Sequence, residues 1–265
     1  MADRTPLVLI HGFTDSTRTW DTLRPLLEPH HDLLVPATLG HHGGAPLPEE
    51  PMASPLQAMV DDLEAQMDET GLERAHLVGN SLGGQIAIEL AARGRALSLV
   101  ALAPGGGWEE AKAVKKVMAY FERTRKLTPF AAARAHGLVS RPRLRKLVLR
   151  DVVAHGDRVP PAVAEALLVN GQECAMFEPL RKAVGGGQWH SDELAPITVP
   201  VRVVWGSGDR ILPPRFATAH WRGALTDAEW IEVDGLGHIL QLDDPHQVAR
   251  LVLEVSAPNH ADVPA

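Results

Sequence analysis

The hydrophobic positions of the chain form short continuous runs, separated by longer segments in which apolar residues recur at helical intervals. Continuous apolar runs of about four to eight residues are typical of strands that are covered on both faces. Their alternation with amphipathic helices predicts an α/β protein with a mostly parallel sheet of about six strands, flanked by helices. The runs lie at residues 7–10, 32–35, 75–78, 97–102, 199–205 and 229–233.

This alternation of strands and helices stops after Pro104. From Trp108 to about Gly187 the sequence keeps a helical periodicity without a convincing strand, and prolines punctuate it. We therefore predict a helical lid that is inserted after the fourth strand. The expected organisation is a first core part at 1–105, the lid at 106–190, a second core part at 191–256 and a flexible tail at 257–265.

The composition of the 265-residue chain is that of an ordinary globular protein, with 45% hydrophobic and 22% charged residues. Its formal net charge of -7 argues against a nucleic-acid partner, because nucleic-acid binding relies on a basic surface. The single cysteine, Cys174, cannot form an intrachain disulfide. The N-terminus lacks the pattern of a signal peptide, and no apolar run is long enough to span a membrane. We therefore expect a soluble cytoplasmic protein.

Positive charge is concentrated in the first half of the predicted lid. A solvated helix face explains most clusters of this kind, whereas attraction of an anionic substrate, partner or surface is the sharper alternative. The basic residues are Lys112, Lys115, Lys116, Arg123, Arg125, Lys126, Arg134, Arg141, Arg143, Arg145, Lys146 and Arg150.

The segment Gly79-Asn80-Ser81-Leu82-Gly83 carries the strongest chemical signal. It follows a predicted strand and precedes a helical pattern, which is the context in which Gly-x-Ser-x-Gly forms a nucleophile elbow. The flanking glycines fit a turn that is too tight for a Cβ atom. Such a turn lifts the serine hydroxyl clear of the sheet, at the positive end of a helix. We predict that Ser81 is a nucleophile.

A serine nucleophile needs a base within hydrogen-bond reach, and the base needs an orienting group. His238 follows the last predicted strand and is the predicted base, while Asp209 follows the strand before it and is the predicted acid. All three residues then lie on loops after strands, at the edge where open α/β sheets place their sites. Four other acids follow strands less cleanly: Asp227, Asp234, Asp243 and Asp244.

Together these motifs resemble the α/β-hydrolase fold, close to its esterase, haloperoxidase-like and meta-cleavage hydrolase branches. The resemblance extends over nearly the whole chain, from His11-Gly12-Phe13 to His238. It implies that the backbone N–H groups of Phe13 and Leu82 form an oxyanion hole. Many relatives begin with an antiparallel hairpin that has no counterpart here, so we expect the first one or two strands of the fold to be missing.

Our main hypothesis is a serine hydrolase that cleaves a small-molecule carboxylic ester, thioester or lactone through an acyl-enzyme. One alternative is hydrolysis of a carbon–carbon bond of the meta-cleavage type, whose elbow resembles this one at Asn80. A second is a non-catalytic, ligand-binding protein of the same fold. Epoxide hydrolase and haloalkane dehalogenase activities are disfavoured, because those relatives carry Asp where Ser81 stands.

Neither a metal nor an organic cofactor is expected. The common zinc patterns are absent, and adjacent histidines such as His41 and His42 point in divergent directions. The sequence carries no signal for an oligomeric state. Asn80 is a candidate for contact with substrate, although bracing of the elbow is its favoured role. Further substrate contacts are expected from apolar residues of the lid, since such pockets are mostly hydrophobic: Trp108, Met118, Phe121, Met176 and Trp189.

Overall fold

A single parallel sheet forms the centre of the molecule. The computed structural model describes residues 4–187, 190 and 194–257, and for residues 216 and 217 it describes the backbone alone. Within these residues six strands pair in the order β2-β1-β3-β4-β5-β6, and every neighbouring pair is parallel. The predicted sheet is confirmed, with strands β1 (Thr5–Ile10), β2 (His31–Leu34), β3 (Ala75–Asn80), β4 (Ala96–Leu102), β5 (Val201–Gly206) and β6 (Glu229–Val233).

Three helices belong to the first part of the core, and the sequence explains where the longest begins. Ser54 accepts a hydrogen bond from the Gln57 N–H at 3.3 Å and so caps this helix, while Pro55 occupies its first turn, where no N–H is needed. The helices are α1 (Arg24–Leu27), α2 (Pro55–Glu69) and α3 (Leu82–Ala92), and a 3-10 turn precedes them at Thr17–Trp20.

Five helices lie between β4 and β5, as the prediction of an inserted helical lid requires. Prolines stand at the starts of two of them, where proline is favoured. The helices are α4 (Ala111–Ala132), α5 (Ala135–Val139), α6 (Pro142–Leu149), α7 (Pro161–Val169) and α8 (Phe177–Gly185), with a 3-10 turn at Asn170–Glu173. We refer to residues 106–187 as the lid.

Four helices follow β5 in the part of the chain that the structure describes. Asp244 caps the last of them by accepting a hydrogen bond from the Gln247 N–H at 2.9 Å. The helices are α9 (Pro214–Ala217), α10 (Ala219–Ala224), α11 (Leu240–Asp243) and α12 (Pro245–Ser256). The tail predicted at 257–265 lies outside the described residues except for Ala257. No described helix combines the length and the apolar character that a membrane span requires.

The buried apolar side chains form two clusters. The larger one fills both faces of the sheet and continues into the first and last helices of the lid. The smaller one lies inside the lid, where Val139, Leu149 and Val163 pack together with Ile239 and Leu242 from beyond β6. The lid is therefore packed against the segment that follows the last strand.

Two buried histidines lie on opposite sides of β1. The rings of His31 in β2 and His76 in β3 meet edge to face, with their centroids 5.3 Å apart. A serine hydroxyl lies 2.9 Å from His31 Nε2 and another lies 2.8 Å from His76 Nδ1: those of Ser256 and Ser98 respectively. Burial, with the neighbouring His31 as a second cause, lowers the pKa of His76 to about 4, and burial also lowers the pKa of His31.

We expect these histidines to make the fold sensitive to acid. The unfolded chain takes up protons near the ordinary histidine pKa of about 6.5, whereas folded His76 stays neutral down to a pH of about 4. Stability is therefore lost as the pH falls between these values. Between pH 7.5 and 5 the free energy of unfolding of His76→Gln should fall by about 1 kcal/mol less than that of the wild type, and urea titration measures both. The exposed His136→Gln is the matched control, and equal losses in both variants would contradict the assignment.

Candidate active site

Ser81 lies in a sharp turn between β3 and α3. Its backbone has φ 56° and ψ -118°, a conformation that L-residues rarely adopt. A Cβ atom on Gly79 would lie 2.1 Å from the carbonyl oxygen of Gly83, and one on Gly83 would lie 2.1 Å from the carbonyl oxygen of Ile10. Only glycine can occupy these two positions, as the sequence predicted for the turn.

Backbone hydrogen bonds hold Ser81 in this conformation. Its N–H donates to the carbonyl of Leu102, at the end of β4, at 2.9 Å. Its own carbonyl accepts from the N–H groups of Gly105 at 2.9 Å and Gln85 at 3.1 Å. The strained residue is thus fixed by the neighbouring strand, the following loop and its own helix, as strained residues in folded proteins require.

Asp209 and His238 form a hydrogen-bonded pair on neighbouring loops. His238 Nδ1 lies 2.7 Å from Asp209 Oδ2, and both side chains are almost completely buried. The other carboxylate oxygen accepts from the N–H groups of Ile211 and Leu212, both at 2.8 Å. Because the carboxylate accepts a hydrogen bond from Nδ1–H, the proton of the neutral imidazole stays on Nδ1 and Nε2 is left with a free lone pair. Such a ring can act as a base.

Asn80 links the turn at Ser81 to the loop after β6 that carries His238, which we call the histidine loop. Its amide Nδ2 donates to the carbonyl of Leu102 at 3.1 Å and to that of His238 at 3.0 Å, while Gln241 Nε2 lies 3.4 Å from its Oδ1. The sequence leaves two roles open for Asn80, contact with substrate or bracing of the turn at Ser81, and favours the brace. Although it borders the cavity beside Ser81, its amide hydrogens are engaged by these two carbonyls, so its role in the described structure is to brace the loops.

Another acid considered for the pair, Asp243, has a different task. Its carboxylate accepts hydrogen bonds from the N–H groups of Gly237 at 2.7 Å, Ala154 at 3.0 Å and His155 at 2.6 Å. Two of these donors belong to the lid and the third precedes His238. Asp243 therefore fastens the lid to the histidine loop.

Two adjoining cavities open at Ser81. The first is mainly apolar, and three of the predicted substrate-contact residues line it: Trp108, Met118 and Phe121. The second, of about 130 Å³, is more polar and is lined by both Ser81 and His238. Ser81 and His238 thus line a common space, beside a mostly hydrophobic chamber.

The two residues expected to form an oxyanion hole flank Ser81. Leu82 is the first residue of α3, so its N–H has no acceptor within the helix and lies at the positive end of the helix dipole. Phe13 lines both cavities and follows Gly12, on which a Cβ atom would lie 3.3 Å from Ser81 Cβ. The Phe13 ring stacks on Phe177 and meets Phe121 edge to face, with centroids 5.5 and 5.0 Å away.

One predicted substrate contact, Met176, does not line either cavity. Its side chain is fully buried, and its N–H donates to the carbonyl of Gly40 at 3.2 Å. Met176 packs closely against Gly40, on which a Cβ atom would lie 3.1 Å from Met176 Cβ. A second predicted contact, Trp189, lies outside the described residues and stays a prediction.

Two titratable residues that line the second cavity, Asp15 and Tyr120, were not predicted from the sequence. Asp15 accepts from the Ser16 N–H at 2.7 Å, yet burial raises the pKa of its carboxyl to about 7. Burial likewise raises the pKa of the Tyr120 hydroxyl to about 12. Asp15 follows β1 by five residues, so its position on a loop at the carboxyl edge of the sheet was the available signal.

Metal-binding side chains do not cluster in the described part of the chain, where no three of His, Cys, Asp or Glu are grouped to hold an ion. His41 instead lies edge-on to His11, with ring centroids 5.3 Å apart. Burial lowers the pKa of His11 to about 3 and that of His41 to about 4. His11 Nε2 accepts from the Thr38 N–H at 3.2 Å, which fits a structural role in the loop after β1.

Comparison with known proteins identifies the family. The sequence profile of the alpha/beta hydrolase family matches residues 7–251, which is most of the chain. The chain belongs to this family. The matched region of this hydrolase runs from β1 to α12 and includes Ser81, Asp209 and His238.

Named relatives of this hydrolase have different activities. The epoxide hydrolase EphH of Mycobacterium tuberculosis is 34% identical over 199 residues, which cover 73% of this chain and 91% of the relative. A pimeloyl-[acyl-carrier protein] methyl ester esterase of Aromatoleum aromaticum is 28% identical over 272 residues, covering 96% and 98% of the two chains. A solved 2-hydroxy-6-oxo-6-phenylhexa-2,4-dienoate hydrolase (BphD) of Rhodococcus superposes with a TM-score of 0.71 at 19% identity, covering 95% and 90%.

The tight turn at Ser81 predicts that Gly83→Ala damages the fold. The new methyl group would overlap the Ile10 carbonyl, so β1 and α3 must move apart, and the free energy of unfolding should fall by about 3 kcal/mol or more. Gly137→Ala in α5 is the control, because its Cβ meets no atom within 4 Å and alanine favours a helix. Urea unfolding checks both, and equal stability of the two variants would show that the turn tolerates a side chain.

The buried carboxyl of Asp15 predicts that stability declines as the pH rises. Its folded pKa of about 7 exceeds the ordinary value of 3.8, so the folded state holds this proton over an interval in which the unfolded chain has released it. As the pH rises from 4.5 to 8, the free energy of unfolding of the wild type should therefore fall relative to that of Asp15→Asn by roughly 2–4 kcal/mol. Thermal or urea unfolding at both pH values measures this difference, and Asp227→Asn on an exposed turn should show none.

Proposed function

We propose that this hydrolase cleaves a small carboxylic ester, or a related thioester or lactone, with Ser81 as the nucleophile. The observation that carries the proposal is the buried 2.7 Å pair of Asp209 and His238, which shares a cavity with a serine held in a strained turn. A serine hydroxyl becomes an effective nucleophile only beside such an oriented base.

The proposed reaction begins with attack of Ser81 Oγ on the ester carbonyl carbon. His238 Nε2 takes the hydroxyl proton, and the carboxylate of Asp209 stabilises the resulting imidazolium. The carbonyl oxygen becomes an oxyanion that accepts hydrogen bonds from the N–H groups of Phe13 and Leu82. His238 then gives its proton to the departing alcohol as the carbon–oxygen bond breaks.

Water completes the cycle in the proposed second half-reaction. His238 removes a proton from a water molecule, whose oxygen attacks the acyl carbon of the enzyme ester. The imidazolium then returns this proton to Ser81 Oγ as the bond between Oγ and the acyl carbon breaks, which releases the carboxylic acid and free Ser81. The mainly apolar chamber beside Ser81 suits a hydrocarbon acyl or alkyl group, because Trp108, Met118 and Phe121 line it.

Epoxide hydrolysis is the second candidate, because the relative EphH is named for it. Attack of Ser81 Oγ on an epoxide carbon would leave an ether on the enzyme. An ether has no carbonyl carbon for water to attack, so the enzyme would not be regenerated. The serine at this position thus favours substrates with a carbonyl group, which include esters and the vinylogous diketones of carbon–carbon bond hydrolases.

The experiment compares p-nitrophenyl butyrate hydrolysis by the wild type and by variants of the proposed triad. Ser81→Ala should lower kcat at least about 10⁴-fold, since the nucleophile is lost. Asp209→Asn should lower kcat by about 10³–10⁴-fold, because the amide holds the wrong imidazole tautomer. Asp227→Asn on an exposed turn should leave kcat unchanged.

Three outcomes would contradict the proposal. Undiminished turnover by Ser81→Ala would exclude this serine as the nucleophile. Turnover of styrene oxide but of no ester would favour the epoxide reaction. Loss of the absorbance of a dienoate substrate, without ester cleavage, would favour carbon–carbon bond hydrolysis instead.

A further inference from the structure

A third, larger space lies beside the two cavities at Ser81. It is an open cleft of about 590 Å³ between the start of α4 and the loop that follows β5. The cleft adjoins the proposed catalytic cavities, because Trp108, Val117 and Ile211 also line the apolar chamber and Tyr120 also lines the polar one. The cleft and the cavities at Ser81 therefore have walls in common.

The walls of this cleft carry an excess of positive charge. Its basic residues are Lys112, Lys116, Arg123 and Arg210, against the two carboxylates of Glu110 and Asp151. Arg123 lies 4.0 Å from Asp151, at the limit of an ion pair. Within the described residues, no carboxylate lies within ion-pair distance of the other three cations.

This local charge contrasts with the chain as a whole, which has a formal net charge of -7. Carboxylates neutralise many other cations of the protein, as when Arg202 contacts Glu229 and Glu254 at 2.7 and 2.8 Å. Unpaired cations that line a concave wall raise the local concentration of anions, because the low-dielectric walls focus their field. An acidic protein that keeps a cationic cleft beside its reactive serine attracts anions to that place.

We infer that the cleft binds an anionic group of the substrate, a carboxylate or a phosphate, while the scissile carbonyl lies at Ser81. This inference rests on the proposed ester hydrolysis and names its substrate class. The substrate is an ester or thioester with a hydrocarbon part near Ser81 and a negative charge on its far portion. Lys112 and Lys116, one helical turn apart on α4, would hold that charge together with Arg210.

The test uses two pairs of substrates that differ in charge. Monomethyl and dimethyl glutarate compare a carboxylate with a neutral ester, and butyryl-coenzyme A and butyryl-N-acetylcysteamine compare phosphates with a neutral thioester. In at least one pair kcat/KM should be about tenfold higher for the anion at low salt, and the preference should shrink as salt screens the cleft. The pair that shows the preference identifies the carboxylate or the phosphate as the source of the charge.

Matched double variants locate the effect in the cleft. Lys112→Gln with Lys116→Gln should lower the ratio of anionic to neutral kcat/KM about tenfold. Lys115→Gln with Lys126→Gln removes the same charge from exposed positions of the same helix outside the cleft, and should leave the ratio unchanged. Equal effects of the two double variants, or hydrolysis of both neutral substrates without an anionic preference, would overturn the inference.

A binding measurement separates this inference from the proposed function. Ser81→Ala cannot complete the proposed reaction, so calorimetry can measure its affinity for each intact substrate. The anionic member of one pair should bind about tenfold more tightly than its neutral partner. If the wild type hydrolyses esters but Ser81→Ala binds the anionic and the neutral member of each pair equally well, anion binding by the cleft is overturned and the proposed function stands. An anionic preference in binding without any hydrolysis would overturn the proposed function and leave the cleft standing.

Discussion

The backbone leaves no room for a side chain where the end of β1, the end of β3 and the start of α3 meet. Gly83 brings α3 against the Ile10 carbonyl, and Gly79 leaves room for the carbonyl of Gly83. The turn at Ser81, with its positive φ, lies at this contact. The position of the serine, the buried N-terminus of α3 and the orientation of the neighbouring Asn80 amide all depend on it, and Asn80 in turn holds the loop of His238.

The lid and the histidine loop are mechanically connected. Ile239 belongs to the apolar cluster of the lid, and its N–H donates to the carbonyl of Val152 at 2.9 Å. The Asp243 carboxylate links the same lid segment to Gly237, next to His238. Without these contacts, the lid could change its position without moving the proposed base, His238. Here the walls of the pocket and the position of the imidazole are set by the same hydrogen bonds and apolar packing.

The sheet and the turn at Ser81 were predictable because their signals are local. Each strand is a short apolar run, and the glycines of the turn stand at fixed spacings on either side of Ser81. Positions that depend on long-range packing were not predictable in this way. Met176 has the same apolar character as Met118, but it packs against the distant Gly40 instead of lining a cavity. Asp15 likewise shares its cavity with lid residues distant in sequence, such as Tyr120 and Leu149.

The central claim is that Ser81, His238 and the N–H groups of Phe13 and Leu82 act on one carbonyl group. A crystal structure of the protein after reaction with a phosphonate ester that mimics the tetrahedral intermediate tests this most directly. The account predicts phosphorus bonded to Ser81 Oγ, with the phosphonyl oxygen about 2.7–3.1 Å from both nitrogens and His238 Nε2 beside the leaving-group position. A phosphonate on another residue, or an oxygen directed away from these N–H groups, would contradict it.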